Sequence, residues 1–189
     1  MPEIDTEAIR ASHQRKIKPG LEYNKYFPAA EGITGILKRN GSVRDTVQLM
    51  GEIVKVTLND TRKIAEILKG DNLHETCSNI WNFIYTYIQY ELDAPGREQL
   101  RRPARLFADR KGDCDCFSLF ISSTLTNLNI PHFLRVTKYN AGWQHVYVIV
   151  PTSKQDGNKQ NYITIDAVLD QYNYEKPFTD KFDYNIEIH

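Results

Sequence analysis

The residues of this chain that could perform chemistry are a cysteine, a histidine and an aspartate, in that order along the sequence. Cys114 follows Gly112 and Asp113 at the start of a helical pattern. His145 opens one strand-like segment, and Asp166 closes the next one. A thiolate paired with an imidazolium that a carboxylate orients is a strong nucleophile toward a carbonyl carbon. The order and spacing therefore predict nucleophilic catalysis by Cys114, His145 and Asp166.

The position of Cys114 at a helix start favours the anionic form of its sulfur. Unpaired backbone N–H groups and the positive end of the helix dipole lie there. If His145 approaches the sulfur, the ion pair lowers the thiol pKa further, and Asp166 can hold the far imidazole nitrogen. Gly112 would let a substrate backbone come close. The Cys114 N–H is a natural oxyanion donor, with room for a side-chain donor from the preceding loop.

Other interpretations of the cysteines and histidines compete with this one. Cys114 and Cys116 with His145 could ligate a metal, but Cys-x-Cys departs from the usual zinc spacing, so neither a metal nor a cofactor is predicted. Cys116 could itself be the nucleophile, although it lies two residues deeper into the helix and off the helical stripe that residues 114, 117 and 121 form. Cys77 lies within an apolar stripe and is predicted to be a core residue. Trp143 either shields the imidazole from water or caps the hairpin. The remaining histidines carry no motif and are predicted to be structural or solvated: His13, His74, His132 and His189.

Helical patterns occupy most of the chain between residue 43 and the end of the cysteine segment. Ser42 is a predicted N-cap, with Asp45 at the capping-box position three residues later. Asn129 suits the left-handed position after a helix, and Pro131 prevents continuation. Apolar residues three or four apart define the helices themselves. They are predicted at 43–54, 61–68, 73–92 and 114–128, with a break at 59–60, a turn at 93–96 and a loop with one helical turn over 97–111.

Period-two patterns rich in β-branched and aromatic residues follow the cysteine helix and predict an antiparallel sheet. Residues 1–42 are predicted to form an irregular N-terminal arm, poorly ordered at its start, because turn-forming residues interrupt them. Residues 43–189 then form a single domain with a helical part (43–130) and a sheet part (131–189). Helices followed by an antiparallel sheet predict an α+β fold. The predicted strands are 132–137, 145–150, 162–166 and an edge strand at 184–188.

The bulk composition excludes several function classes. The chain has 189 residues, with 24 Lys and Arg against 24 Asp and Glu, so its net charge is zero. That balance predicts neither a nucleic-acid partner nor an anionic membrane partner. No apolar run approaches the ~20 residues that span a bilayer, and the N-terminus lacks the features of a signal peptide. Three cysteines form no disulfide framework, which favours a reducing, cytoplasmic location and leaves a thiol free to react.

Three motifs, taken together, resemble those of the transglutaminase-like superfamily. The cysteine block Gly-Asp-Cys-Asp-Cys-Phe-Ser-Leu at 112–119 leads to Leu-Thr-Asn-Leu-Asn-Ile-Pro at 125–131. Trp-Gln-His-Val-Tyr-Val at 143–148 resembles the histidine strand of that superfamily, and Tyr-Ile-Thr-Ile-Asp-Ala at 162–167 its aspartate strand. The lead-in at 88–93 resembles bacterial and phage members. The resemblance covers about residues 72 to 170. It implies a papain-like fold, with the cysteine helix packed on a small antiparallel sheet, and the triad Cys114, His145 and Asp166.

Two hypotheses about function follow from these residues and from the resemblance. The leading one is a thiol enzyme that hydrolyses an amide or peptide bond of a protein or peptide substrate through an acyl-enzyme. Transfer of the acyl group to a lysine amine would instead make it a transglutaminase. The rival class is a non-catalytic structural protein that reuses the fold, for instance a phage virion component with virion or self-assembly partners.

Overall fold

The computed structural model describes residues 14–30, 35–36, 42–93, 99–140, 142–153 and 161–187. A 3₁₀ turn (Leu21–Tyr26) precedes the α-helices of the described chain, and these are α1 (Val43–Val56), α2 (Leu58–Leu68), α3 (Leu73–Tyr87), α4 (Pro103–Asp109) and α5 (Cys114–Asn127). Short strands lie among them: β1 (Gly35–Ile36), β2 (Gln89–Tyr90), β3 (Gln99–Leu100) and β4 (Lys111–Gly112). The longer strands follow: β5 (Phe133–Tyr139), β6 (Gly142–Pro151), β7 (Tyr162–Ile165) and β8 (Asp180–Asn185).

The four longer strands form one antiparallel sheet in the order β7-β6-β5-β8. Helix α5 packs on β6 of this sheet, so the predicted α+β fold is confirmed. The tail strand β8 lies at an edge, as predicted, but it begins at residue 180 rather than 184. The short strands pair separately, β1 with β3 in antiparallel and β2 with β4 in parallel fashion.

Helix α1 begins where the sequence predicts, but the break after it was misplaced. The Ser42 side chain accepts from the Asp45 N–H, and the Asp45 carboxylate accepts from the Ser42 N–H, which completes the capping box. The chain breaks at Thr57, so Asp60 belongs to the first turn of α2. Asp60 is fully buried and accepts from Arg102 Nε at 2.8 Å and from the Ala104 N–H at 3.0 Å. A tertiary ion pair therefore holds this aspartate within a helix.

Helix α3 is shorter than predicted because residues 89–90 leave it to form β2. Strand β2 pairs with β4, which directly precedes α5, with Tyr90 opposite Gly112. The predicted continuation of the helix to residue 92 was wrong. The buried apolar residue Ile88 suits both the end of helix α3 and the start of strand β2, so the apolar pattern does not separate them. The predicted 93–96 turn lies outside the described residues beyond Asp93. Residues 103–109 form the helix α4, with Pro103 at its first position.

The described part of the N-terminal arm packs against the helices. The Phe27 ring stacks on the Phe107 ring with centroids 4.0 Å apart, and the Tyr23 ring meets the Phe83 ring edge-on at 5.1 Å. Residues 1–13, the predicted poorly ordered start, lie outside the described residues. The predicted domain boundary after residue 42 stays a prediction. Within the described chain, no helix combines the length and the apolarity needed to cross a membrane.

Candidate active site

Cys114 is the first residue of α5. Asp113 is the N-cap, and its carboxylate accepts from the Cys116 N–H at 3.1 Å. This bond fixes the helix start at Cys114, which is partly exposed, while the residues that follow it along α5 as far as Leu125 are buried. The sequence therefore sets the position of the sulfur through an ordinary aspartate cap.

His145 and Asp166 are brought together, as the strand pattern predicts. Strand β6 pairs with β7, and Asp166 follows the last residue of β7. His145 Nε2 lies 2.6 Å from Asp166 Oδ2, with 14% of the histidine side chain and 4% of the aspartate side chain exposed. Because the carboxylate accepts the Nε2 proton, Nδ1 is the nitrogen that remains for a proton from elsewhere.

Asp166 is held from its backbone as well as from its carboxylate. The Trp81 indole N–H donates to the Asp166 carbonyl at 2.9 Å. The Val168 N–H donates to Asp166 Oδ1 at 3.1 Å, so the two carboxylate oxygens have separate donors. Both donors restrict the rotation of the side chain. Trp81 is a residue for which the sequence analysis proposed no role.

The Cys114 thiol lies against the residue that follows His145. The backbone N–H of Val146 acts on the sulfur, and the thiol donates to Asp115 Oδ1 at 3.4 Å. Among the described contacts, no hydrogen bond joins the sulfur to the imidazole ring. Two consecutive residues of β6 therefore contact the two other members of the predicted triad, His145 through its ring and Val146 through its backbone.

The electrostatics of the thiol differ from those that the helix position predicts. Burial raises the pKa of Cys114 well above its usual range, and the carboxylates of Asp115 and Asp113 raise it further. The Val146 N–H lowers the pKa but does not outweigh these effects. The expected depression was wrong because the dipole argument left out the burial of the thiol and the two acids beside the cysteine. The resting sulfur is therefore a neutral thiol at neutral pH.

Gly112 lies where a side chain would clash with its neighbours. A Cβ at this position would lie 2.5 Å from Leu106 Cδ1 and 2.9 Å from the Cys116 Cβ. Gly112 is buried, so its missing side chain makes room for α4 and α5 to meet. The expected approach of a substrate backbone at Gly112 stays a prediction.

The other two cysteines, Cys77 and Cys116, are buried. Cys116 is fully buried, donates to the Gln99 carbonyl at 3.2 Å and accepts from the Arg101 N–H at 3.3 Å. Cys77 is a core residue, as predicted, and burial raises the pKa of its thiol to about 12. No cluster of three or more His, Cys, Asp and Glu suited to a metal ion occurs among the residues that the structure describes.

His132 has a structural role, as predicted. It is fully buried, with Nε2 at 2.6 Å from the Ser122 hydroxyl and Nδ1 at 2.8 Å from the Ile130 carbonyl. Burial lowers the pKa of His132 to about 4, so the ring is neutral at neutral pH. His13 and His189 lie outside the described residues. Trp143 lies opposite Lys138 in the β5–β6 hairpin and packs edge-on against Phe182 with centroids 5.2 Å apart, which favours the alternative that it caps the hairpin.

Tyr90 is a site residue that the sequence analysis missed. Burial raises the pKa of Tyr90, and the electrostatic effect of the Cys114 sulfur and of the neighbouring carboxylates adds to this rise. The phenol therefore stays protonated, and its ring packs edge-on against that of Phe117 in α5, with centroids 5.9 Å apart. The signal in the sequence was the lead-in at 88–93, but only the pairing of β2 with β4 brings Tyr90 beside the cysteine helix.

The sequence comparison decides the family. A model of the transglutaminase-like domain matches residues 59–184, which include Cys114, His145 and Asp166. The chain belongs to the transglutaminase-like domain family. The predicted resemblance is thereby confirmed, and the α+β fold is of the transglutaminase-like type. No curated protein matches the transglutaminase-like chain in sequence.

Solved structures with a similar fold are remote from this transglutaminase-like protein. LapG of Legionella pneumophila in a calcium-bound form has 13% identity and a TM-score of 0.46, over 67% of this chain and 75% of LapG. A proposed cysteine protease from Cytophaga hutchinsonii has 15% identity and a TM-score of 0.41, and the match covers 69% of this chain and 44% of the protease chain. A TGase structure has 14% identity and a TM-score of 0.39, and the match covers 74% of this chain and 36% of the TGase chain.

Proposed function

We propose that this transglutaminase-like protein hydrolyses an amide or peptide bond through an acyl-enzyme on Cys114, with His145 as the base and Asp166 as the orienting acid. One observation carries the proposal: the consecutive residues His145 and Val146 contact Asp166 and the Cys114 thiol. A nucleophile, a base and an orienting group then occupy one end of the sheet, which is the arrangement that acyl transfer requires.

The raised thiol pKa assigns a specific task to His145. A neutral thiol attacks a carbonyl carbon poorly, so its proton must leave as the S–C bond forms. His145 Nδ1 takes that proton, because Nε2–H is held by Asp166. The imidazolium then protonates the leaving amine as the C–N bond breaks. Water attacks the thioester with His145 again as the base, and the sulfur is released and protonated once more.

The oxyanion of the tetrahedral intermediate needs donors near the sulfur. The Cys114 N–H lies in the first turn of α5, where backbone N–H groups have no partner within the helix. We infer that the Tyr90 hydroxyl supplies the second donor, because Tyr90 lies opposite Gly112, two residues before Cys114, and its raised pKa keeps the proton on the oxygen. A proton that stays on a neutral donor can stabilise the developing negative charge.

The decisive experiment measures alkylation of each cysteine by iodoacetamide from pH 5 to 9, read by peptide mapping. The buried Cys77 and Cys116 are internal references for intact folding. Cys114 is expected to react at pH 7 about 10²-fold faster in the wild type than in His145→Ala, because a general base contributes that much. Asp166→Asn should fall between the two. Equal rates in the wild type and in His145→Ala would refute the proposal.

Turnover decides the acyl acceptor. The protein and its Cys114→Ala variant are incubated with a peptide library, with and without a primary amine, and products are read by mass spectrometry. Cleaved or deamidated products that need Cys114 support hydrolysis, and an amine adduct supports transamidation. If neither forms, the non-catalytic role with virion or self-assembly partners is favoured. The cytoplasmic location stays a prediction.

A further inference from the structure

The N-terminal segment reaches the turn that carries Asp166. Arg15 Nη2 donates to the Ala167 carbonyl at 2.8 Å, and the Arg15 N–H donates to Gln89 Oε1 at 3.4 Å. Further along, the Lys18 N–H donates to the Thr86 carbonyl at 2.8 Å, so the segment also lies along the end of α3. A residue 152 positions away in sequence thus contacts the neighbour of the predicted catalytic acid.

Arg15 and Trp81 contact the same aromatic ring and bind consecutive carbonyl groups. The Arg15 guanidinium lies 4.1 Å from the Tyr85 ring centroid, and the Trp81 and Tyr85 rings are stacked at 4.7 Å. Trp81 donates to the Asp166 carbonyl, and Arg15 donates to the Ala167 carbonyl. A cation over an aromatic face is attracted to it, so the stacked Trp81 and Tyr85 rings hold the Arg15 guanidinium in place. The guanidinium in turn restrains the turn at residues 166–168 through its hydrogen bond to the Ala167 carbonyl.

The orientation of this turn sets the carboxylate. Asp166 Oδ1 accepts from the Val168 N–H within the turn, and Oδ2 accepts from His145. A change in the path of residues 166–168 would therefore move the hydrogen bond to the imidazole. Arg15 also interacts electrostatically with Asp166 and Asp170, and the Tyr85 hydroxyl donates to Asp170 Oδ1 at 3.0 Å.

We propose that Arg15 is a positioning residue for the His145–Asp166 pair, so that the N-terminal segment forms part of the active site. The proposal rests on the function proposed above. Arg15 does not touch the reacting atoms; it acts through the Ala167 carbonyl and through its charge. Arrangement of a base by groups behind it is a general feature of catalytic sites.

The test compares Arg15→Gln, Arg15→Lys and the control Lys18→Gln. Lys18 has an exposed side chain in the same segment, and its backbone hydrogen bond is kept in the control. Two quantities are measured: the rate of Cys114 alkylation at pH 7, and the tautomer of His145 by ¹⁵N NMR of the imidazole. Because a hydrogen bond from a charged donor is lost, Arg15→Gln should lower the rate about tenfold and reduce the Nε2–H tautomer. Arg15→Lys should lie between, and Lys18→Gln should match the wild type.

Three outcomes would overturn or separate the proposals. An Arg15→Gln rate and tautomer equal to those of Lys18→Gln would overturn the positioning role while leaving the proposed function intact. A loss of thermal stability with an unchanged rate and tautomer would also overturn it, because Arg15 would then only attach the segment. Wild-type alkylation that does not depend on His145 would overturn the proposed function, and the tautomer would still test the positioning role.

Discussion

The Asp115 carboxylate lies 3.4 Å from the Cys114 sulfur and receives the thiol proton as a hydrogen bond. A carboxylate in this position opposes the formation of the thiolate, since two negative charges would then be adjacent. The arrangement differs from a preformed thiolate–imidazolium pair. Under the proposed mechanism, ionisation of the sulfur then depends on His145 taking the proton when a substrate arrives.

Removal of the carboxylate charges should make the thiol more acidic. Asp115→Asn should lower the Cys114 pKa, because a neighbouring negative charge disfavours the thiolate and so raises the pKa of the thiol. Asp113→Asn should lower it less, since Asp115 has the larger effect on the thiol, and asparagine remains a good N-cap. The measurement is the pH midpoint of Cys114 alkylation. A midpoint that does not change, or that rises, would contradict the electrostatic argument.

Tyr90→Phe should separate oxyanion stabilisation from thiol reactivity. Removal of one oxyanion donor lowers turnover about 10²-fold. Alkylation of Cys114 by iodoacetamide forms no tetrahedral oxyanion, so its rate at pH 7 should change little. The two rates are measured on the same preparation, with a peptide substrate found by the library screen. Equal losses in both rates would mean that Tyr90 acts on the thiol and not on the oxyanion.

Local signals in the sequence predicted the elements well, and long-range contacts were beyond its reach. The Ser42 capping box and the left-handed Asn129, with φ of 55°, depend on neighbours within a few residues. The ion pair of Asp60 with Arg102 joins residues 42 positions apart, and it keeps in a helix an aspartate that was expected to break one. The pattern of side chains within one helix does not predict an ion-pair partner that is distant in the sequence.

The candidate site shows the same division between local and distant causes. The order Cys114, His145 and Asp166 was readable because strand pairing places hairpin positions at one end of a sheet. The acids beside the cysteine were also readable, and their effect on the thiol was underestimated. Arg15 carried no signal, because its contact with the Ala167 carbonyl arises only from the path of the N-terminal segment over α3.

His132 should make stability depend on pH. Its pKa is about 4 when folded and about 6.5 when unfolded, so the unfolded state binds more protons between these values. The contribution of the neutral His132 to the free energy of unfolding is therefore fully present above pH 6.5. It is lost as the pH falls toward 4, which lowers the free energy of unfolding by up to about 3 kcal/mol. Urea unfolding at pH 7 and 4.5 measures it. The wild type should lose more stability than His132→Gln, while the control His74→Gln behaves as the wild type. Parallel losses in the wild type and His132→Gln would contradict the prediction.

Arg135 should be the most sensitive polar residue of the sheet. Its side chain is 3% exposed; Nε and Nη2 contact the Asp183 carboxylate at 2.7 and 2.8 Å, and Nη1 contacts Glu175 Oε1 at 2.8 Å. Glu175 also accepts from the Tyr147 hydroxyl at 2.6 Å, and the Tyr147 ring lies 5.3 Å from that of His145. Burial raises the pKa of Glu175, but hydrogen bonds from Tyr147, Tyr162 and Arg135 outweigh it and leave the pKa lowered.

Arg135→Met should therefore cost about 3–5 kcal/mol at pH 7, because it leaves the buried Glu175 carboxylate and the partly exposed Asp183 carboxylate without their cation. The stability that the lowered Glu175 and Asp183 pKa values provide is present above the unfolded pKa and is lost as the pH falls. In Arg135→Met protonation relieves the repulsion, so the gap to the wild type should narrow toward pH 4. Lys55→Met breaks the exposed pair with Glu187 and should change little. A gap that stays constant with pH would show that Arg135 contributes packing and not charge.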